Sequence, residues 1–326
     1  MTTTPIVKPQ PSAGQRGANR IVIGTRGSAL ALWQARHIAA ELGRTTPGLE
    51  TALEIIVTEG DRFQSGPVIE RGGKGVWVKE IEEALLRGAI DLAVHSLKDV
   101  PAALAPGLVL AAIPERADAR DVLISRSNQS LAALPGGSRV GTSSLRRVCL
   151  LRTMRPDLEV ELLRGNVDTR LRKVAEGVVD AAVLAAAGLD RLGFSDRIAQ
   201  RLSVDEMLPA IGQGALAIET RANDARVREA CLPLVHPDTE IAVTAERALL
   251  FGLGVGCRTP VAGHAVLDGD GDEIWLRGLV GRPDASLVVR DEGRGRRSEA
   301  ARLGREMAER MLRNGADRIL AELGEL

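Results

Sequence analysis

In the segment DLAVHSLKDVP (91–101), an apolar strand-like run ends in Ser96, Lys98 and Asp99 before Pro101 closes it. A lysine and a carboxylate side by side where a strand runs out admit three readings. They are an ion pair worth little if exposed, a Schiff-base lysine, or site residues, because ligands of open α/β sheets bind beyond the strand ends. Arg26 and Ser28, in GTRGSALAL (24–32), also stand at a strand end and a helix start. Backbone N–H groups there favour an anion, although Ser28 would serve equally as a plain N-cap. GGKGVWVKE (72–80) brings Lys74 to a helix start on two glycines. It lacks the Walker spacing and the following Ser or Thr, so a loop carrying Lys74 to an anion and a simple exposed turn both fit.

Seven arginines lie between Ser144 and Arg172. Arg146 and Arg147 open a helix, Arg164 ends a strand, and Arg170 stands one turn into the next helix. Three elements therefore aim guanidinium groups at one edge, and such forks match carboxylates or phosphates in bidentate fashion. Arg152, Arg155 and Arg172 read instead as solvated, with acidic neighbours or outward-facing positions. The ligand implied is polyanionic. Cys257 sits in the glycine-rich loop GLGVGCRTPVAG (252–263) with Arg258 beside it. That setting suits either a thiolate nucleophile or a structural cysteine, and no histidine partner is visible for a protease-like dyad.

The elements that would position these residues alternate. Strands are expected at Arg20–Gly24, Leu53–Val57 and Asp91–His95, with helices from about Ser28 and over Val76–Arg87. The helix from Ser28 carries the stripe Ala31, Ala35, Ile38, Leu42, and the next carries Trp77, Ile81, Ala84 and Leu85. The alternation repeats through strands Asp121–Ser125, Arg139–Gly141, Glu159–Leu163 and Asp180–Leu184 and helices Ser144–Arg155 and Val167–Glu176. Two α/β lobes with mostly parallel sheets follow, and Leu216–Glu219 is a late strand able to return to the first lobe. Beyond Pro237 a helix to Leu253, strands Val261–Leu267, Glu273–Gly281 and Ser286–Glu292, and a helix from Ser298 make a smaller α+β domain. The expected division is a disordered tail 1–19, a first lobe of 20–118 and 215–236, a second lobe of 119–214, and a third domain of 237–326.

The chain of 326 residues exceeds one ordinary core. Its formal net charge is zero, so no global field recruits nucleic acid or membrane. Three Trp, three Phe and no Tyr leave few rings for stacking bases. An odd count of cysteines without a C-x-x-C pair argues against a disulfide framework or a zinc site and for a reducing cytoplasm. Residues 1–20 lack the apolar run of a signal peptide, and no segment reaches the roughly 18 apolar residues of a membrane span. No metal site, nucleic acid or membrane partner is expected.

The strings GTRGSALAL, GGKG, AVHSLKDVP, VGTSSLRR, LRGNVDTRL, AGLDRLG, LPAIGQGALAIE, TAERALL and GCRTPVAG, in that order, resemble the porphobilinogen deaminase (hydroxymethylbilane synthase) family over about residues 20 to 323. The resemblance implies two lobes like those of periplasmic anion receptors plus a third, cofactor-bearing domain. It implies a transferase that condenses four porphobilinogen molecules head to tail with loss of ammonia. The product is linear hydroxymethylbilane, an intermediate of tetrapyrrole and heme biosynthesis. It also implies a dipyrromethane cofactor joined by a thioether to the cysteine matching Cys257, which makes that thiol an anchor. Asp99 matches the catalytic aspartate, whose carboxylate would stabilise positive charge on the pyrrole after ammonia departs and help move the proton lost on rearomatisation. Lys98 matches a binding lysine. Arg26, Ser28, Lys74, Ser96, Thr142, Ser144, Arg146, Arg147, Arg164, Arg170 and Arg191 match positions that hold acetate and propionate groups, and Gln213 and Gly214 match the crossover between lobes. Glu70, Trp77, Gly254 and Val255 depart from the family pattern. A cytoplasmic monomer acting on a small molecule is expected; the alternative is a non-catalytic, two-lobed anion receptor.

Overall fold

The computed structural model describes residues 19–62, 77–256, 259–269 and 271–324. The first lobe opens with β1 (Arg20–Thr25), α1 (Ala29–Thr45), β2 (Glu50–Ile55), the short α2 (Glu59–Arg62), α3 (Lys79–Leu86), β3 (Leu92–Ser96) and β4 (Leu108–Ala112). The chain then crosses to β5 (Asp121–Ser125), β6 (Arg139–Thr142), α4 (Leu145–Met154), β7 (Glu159–Leu162), α5 (Val167–Ala175), β8 (Ala181–Ala185), α6 (Ala186–Arg191) and β9 (Gln200–Arg201). It returns through β10 (Leu216–Arg221) and α7 (Ala225–Cys231). The third domain comprises α8 (Pro237–Gly252), β11 (Val261–Leu267), β12 (Glu273–Gly281), β13 (Val288–Arg296), α9 (Ala300–Met311) and α10 (Asp317–Glu322).

The first sheet runs β2-β1-β3-β10-β4, the second β7-β6-β8-β5-β9, and the third β11-β12-β13. The late strand does return to the first lobe, where β10 lies between β3 and β4. The sheets, however, are mixed rather than mostly parallel. β10 is antiparallel to β3 and β4, and β5 is antiparallel to both β8 and β9. Apolar patterning marks where a buried strand lies but carries no sign for its direction, which the crossovers between lobes set.

Local chemistry explains the elements that flank the site. Ser28 caps α1 by accepting from the Ala31 N–H, and Ala31, Ala35, Ile38 and Leu42 form its buried stripe. Ser144 caps α4 by accepting from the Arg147 N–H. Trp77 lies outside α3, contrary to its place in the expected stripe; its ring instead meets the Arg26 guanidinium, 4.1 Å from the centroid. The third hairpin strand is displaced from 286–292 to Val288–Arg296, because Asp284 and Ser286 form the turn. At the return crossover Gly214 has φ +89, and a Cβ there would stand 2.5 Å from the Ala117 carbonyl oxygen. The two crossovers touch at that point, so only glycine fits.

Helix α8 ties the third domain to both crossovers. The Glu246 carboxylate is fully buried. It accepts from Arg116 Nη1 at 2.6 Å and Nη2 at 3.2 Å, from the Gly212 N–H at 2.7 Å and from the Ala265 N–H at 2.8 Å. Burial alone would raise this carboxyl, but Arg116 and His264 outweigh it and hold Glu246 down at about 2. A depressed carboxyl contributes stability above its unfolded value that is lost only as pH falls toward about 2. Glu246→Ala strands the Arg116 guanidinium and two amides, so it is expected to cost roughly 3–5 kcal/mol, read as a lowered urea midpoint. An unchanged midpoint would refute this clamp.

Candidate functional site between the lobes

The Lys98–Asp99 pair falls on a 3₁₀ turn, Leu97–Asp99, directly after β3. Buried Leu97 and Val100 pin the turn from the core side. The Leu97 N–H donates to the Ala215 carbonyl at 3.0 Å. Behind it, Arg247 Nη2 donates to the carbonyls of Pro101 (2.9 Å) and Ala102 (3.0 Å). Asp99 is left half-buried at the strand end. Among the described residues its carboxylate makes no hydrogen bond or ion pair.

A cavity of about 100 Å³ separates the lobes here. Leu30, Ser96 and Lys98 line it from the first lobe, Arg147, Arg170 and Gly188 from the second, and Gly214 from the crossover. That is room for roughly three waters, or for a carboxylate arm. Ser96 Oγ accepts from Gln34 Nε2 at 2.8 Å. Lys98 Nζ donates to Gln213 Oε1 at 3.4 Å. Loss of hydration lowers the Lys98 ammonium to about 8, with the Arg147 charge pushing the same way and Asp99 and Asp121 opposing.

The arginines divide by partner. Arg147 is buried, gives Nε and Nη2 to Asp121, and gives Nη1 to the Val183 carbonyl at 2.9 Å. Arg146 lies behind it, with Nη1 on Asp121 and on the Leu208 carbonyl and with burial lowering its pKa. Arg170 has only neutral acceptors among the described residues, the Gly165 carbonyl at 2.8 Å and Ser143 Oγ at 3.2 Å, and burial lowers it to about 10. Arg191 likewise gives Nη2 to the Gly214 carbonyl at 2.8 Å, lies over the Trp33 ring, and is lowered by burial to about 10. Arg164 follows β7 and is half-buried. Thr142 ends β6, and its Oγ1 accepts from the Ser144 N–H at 3.2 Å.

Arg26 stands at the end of β1, but its guanidinium is paired with both oxygens of Asp61. Lys74 and Cys257, with Glu70 and Arg258, lie outside the described residues. Of the three arginines read as solvated, Arg172 is exposed and pairs with Glu176 and exposed Arg152 donates to the Pro283 carbonyl, but Arg155 is half-buried and donates to the Leu131, Ala132 and Leu134 carbonyls as well as to Asp157. Asp61 and Asp121 were not singled out in the sequence. The sign for Asp121 was present: a carboxylate heading the apolar strand DVLIS needs a buried cation.

The donor set fits an acidic cofactor. Lys98, Arg147, Arg170 and Arg191 converge on the lobe boundary, and two of the three arginines have no carboxylate partner among the described residues. Half-buried guanidinium groups resting on neutral acceptors, as those of Arg170 and Arg191 do, retain N–H donors and net charge for a ligand's carboxylates.

Among the described residues, no helix is long and apolar enough to cross a membrane. Residues 21–229 match the family model for the porphobilinogen deaminase dipyrromethane cofactor binding domain, and residues 240–313 match that for the porphobilinogen deaminase C-terminal domain. A porphobilinogen deaminase of Syntrophobacter fumaroxidans is 49% identical over 304 residues, covering 93% of this chain and 97% of that protein. Among solved structures, a TRAP periplasmic solute binding protein from Desulfovibrio salexigens covers 67% of this chain and 73% of its own at 11% identity and TM-score 0.41. The Bordetella pertussis BvgS VFT2 domain covers 65% and 83% at 16% identity and TM-score 0.39. These structural likenesses are remote, and the two-lobed architecture rests on the strand orders above. Two family models spanning both lobes and the third domain, and a relative matched over nearly its whole length, agree: the chain belongs to the porphobilinogen deaminase family.

Proposed function

We propose that the interlobe cavity receives the acidic side chains of the pyrrole chain while Asp99 acts at the reacting ring. The activity is that of a hydroxymethylbilane synthase, a transferase of porphyrin biosynthesis that joins four porphobilinogen molecules with loss of ammonia. The dipyrromethane cofactor supplies a primer with a free pyrrole carbon on which the chain grows. The observation that carries our reading is the convergence of Lys98, Arg147, Arg170 and Arg191 beside the turn that presents Asp99.

Each pyrrole brings two carboxylates, and the cations meet them with charged hydrogen bonds worth about 1.5–3 kcal/mol apiece. Asp99, uncommitted among the described residues, accepts from a pyrrole N–H and stabilises the positive charge that develops as ammonia leaves. Ser96 and Gln213 add neutral donors and acceptors at the first lobe's edge. Thr142, Ser144 and Arg164 extend the second lobe's side, and Arg26, Ser28 and Lys74 extend the first. Cys257 anchors the cofactor by a thioether. The free thiols Cys149 and Cys231 suit a reducing compartment, and we place the protein in the cytoplasm as a monomer.

The purified protein is expected to consume porphobilinogen and release ammonia in equal amounts. The product mass should be four units less four ammonias plus one water. Protein that binds porphobilinogen without releasing ammonia would instead be a receptor. Because the Lys98 ammonium holds its charge below about 8 and loses it above, the KM for porphobilinogen is expected to rise as pH climbs past that value. A KM flat from neutral pH to well above it would remove Lys98 from carboxylate binding.

A further inference from the structure

Asp121 opens β5, is fully buried, and does not line the cavity. Its Oδ1 accepts from Arg147 Nε at 3.1 Å, from Arg147 Nη2 at 2.7 Å and from Gln213 Nε2 at 2.8 Å. Its Oδ2 accepts from Arg146 Nη1 at 2.7 Å. Gln213 Oε1 in turn accepts from Lys98 Nζ, and Gln213 Nε2 also donates to the Ala119 carbonyl at 2.8 Å. One carboxylate of the second lobe thus reaches the first lobe's lysine through a single crossover residue. We propose that Asp121 is a positioning residue for the condensation: it aims Arg147 into the cavity and, through Gln213, holds the Lys98 ammonium across the lobe boundary.

The geometry leaves Arg147 fixed but not exhausted. A guanidinium has five N–H donors. Asp121 and the Val183 carbonyl engage three of them, which leaves donors on both Nη atoms for a ligand while the plane is locked. A preset fork loses little freedom when a carboxylate arrives. The charge balance points the same way. Lys98 feels Arg147 and Arg146 from α4, Asp121 from β5 and Asp99 from its own turn. Asp121 is the anion that offsets the two arginines. Without it, Lys98 would sit among uncompensated cations and give up its proton at lower pH. Burial works against the ionised form of Asp121 itself, and Arg146 and Arg147 overcome that to hold its carboxyl well below the usual range, so the offset is present at any working pH.

This inference rests on reading the interlobe cavity as the substrate site, and the test separates the two. In Asp121→Asn holoenzyme, the KM for porphobilinogen should rise roughly tenfold or more, the loss of one charged contact, with a smaller change in kcat. The pH midpoint for acylation of Lys98, followed by peptide mass, should move to lower pH. A KM and a Lys98 midpoint both equal to wild type overturn the proposal. A shifted midpoint with an unchanged KM overturns the role in the reaction, and with it the reading of the cavity. Should Asp121→Asn fail to fold, with two buried guanidinium groups left unpaired, Gln213→Leu cuts the link to Lys98 without stranding a charge. A lowered Lys98 midpoint there supports the relay; an unchanged one overturns it.

Discussion

Asp99→Asn is expected to fold as wild type and to turn over porphobilinogen roughly 10²–10⁴-fold more slowly, the range for removing one acid–base or charge-stabilising group. The structure separates the two effects. The turn is held by Leu97 and Val100 in the core and by backbone hydrogen bonds to Ala215 and from Arg247. The Asp99 side chain contributes nothing to that hold among the described residues. A half-buried polar replacement of equal size at such a position changes stability by about 0.5 kcal/mol or less. The asparagine keeps the shape and one oxygen but not the charge, so it still meets a pyrrole N–H while losing the field that stabilises a cation. Porphobilinogen consumption and a urea melt on the same preparation check both halves. Turnover within a few-fold of wild type would remove Asp99 from the chemistry.

Cys257→Ser is expected to abolish the covalent adduct and with it nearly all activity. Intact mass should show wild type heavier than its sequence by two porphobilinogen units less two ammonias, and the variant at its sequence mass. Ehrlich's reagent should colour only the former. The residues flanking the thiol show why the protein can carry an anchor there. Helix α8 closes at Gly254, whose φ is +71. Val255 packs into the third domain's core, and Thr259 and Val261 are buried on the far side. The residues on either side of 257–258 therefore belong to a domain that also grips the interlobe crossovers through Glu246. A hydroxyl there lacks the nucleophilicity of a thiolate and forms no thioether. Wild-type protein that stays at its sequence mass after incubation with porphobilinogen would refute the attachment.

Much of the fold was legible because buried strands and helix stripes leave strong periodicity. The stripe Ala31, Ala35, Ile38, Leu42 and the strands at 121–125 and 261–267 stand where the pattern put them. β4, β9, α6 and α7 were not anticipated, since each is short and its burial depends on neighbours distant in sequence. Strand direction was hidden for the same reason. Residue type and position at element ends also marked Lys98, Arg147 and Arg170, which line the interlobe cavity. What remained hidden was which cations already have a carboxylate partner within the protein. Arg26 and Arg146 look as ligand-ready in sequence as Arg170, yet Asp61 and Asp121 hold the first two while Arg170 rests on a carbonyl and a hydroxyl. Pairing over tens of residues follows tertiary structure and leaves no local mark.

The position of β10 bears on how the polypeptide is made. It occupies the interior of the first sheet, between β3 and β4, and the buried pair His95 and Glu219 joins residues 124 positions apart. A nascent chain that has emerged only as far as β4 lacks an inner strand, so its first lobe is incomplete and exposes the edges of β3 and β4. The second lobe, by contrast, has all its strands within residues 121–201. On the ribosome the second lobe should therefore become protease-resistant before the first, inverting the order in which the two begin.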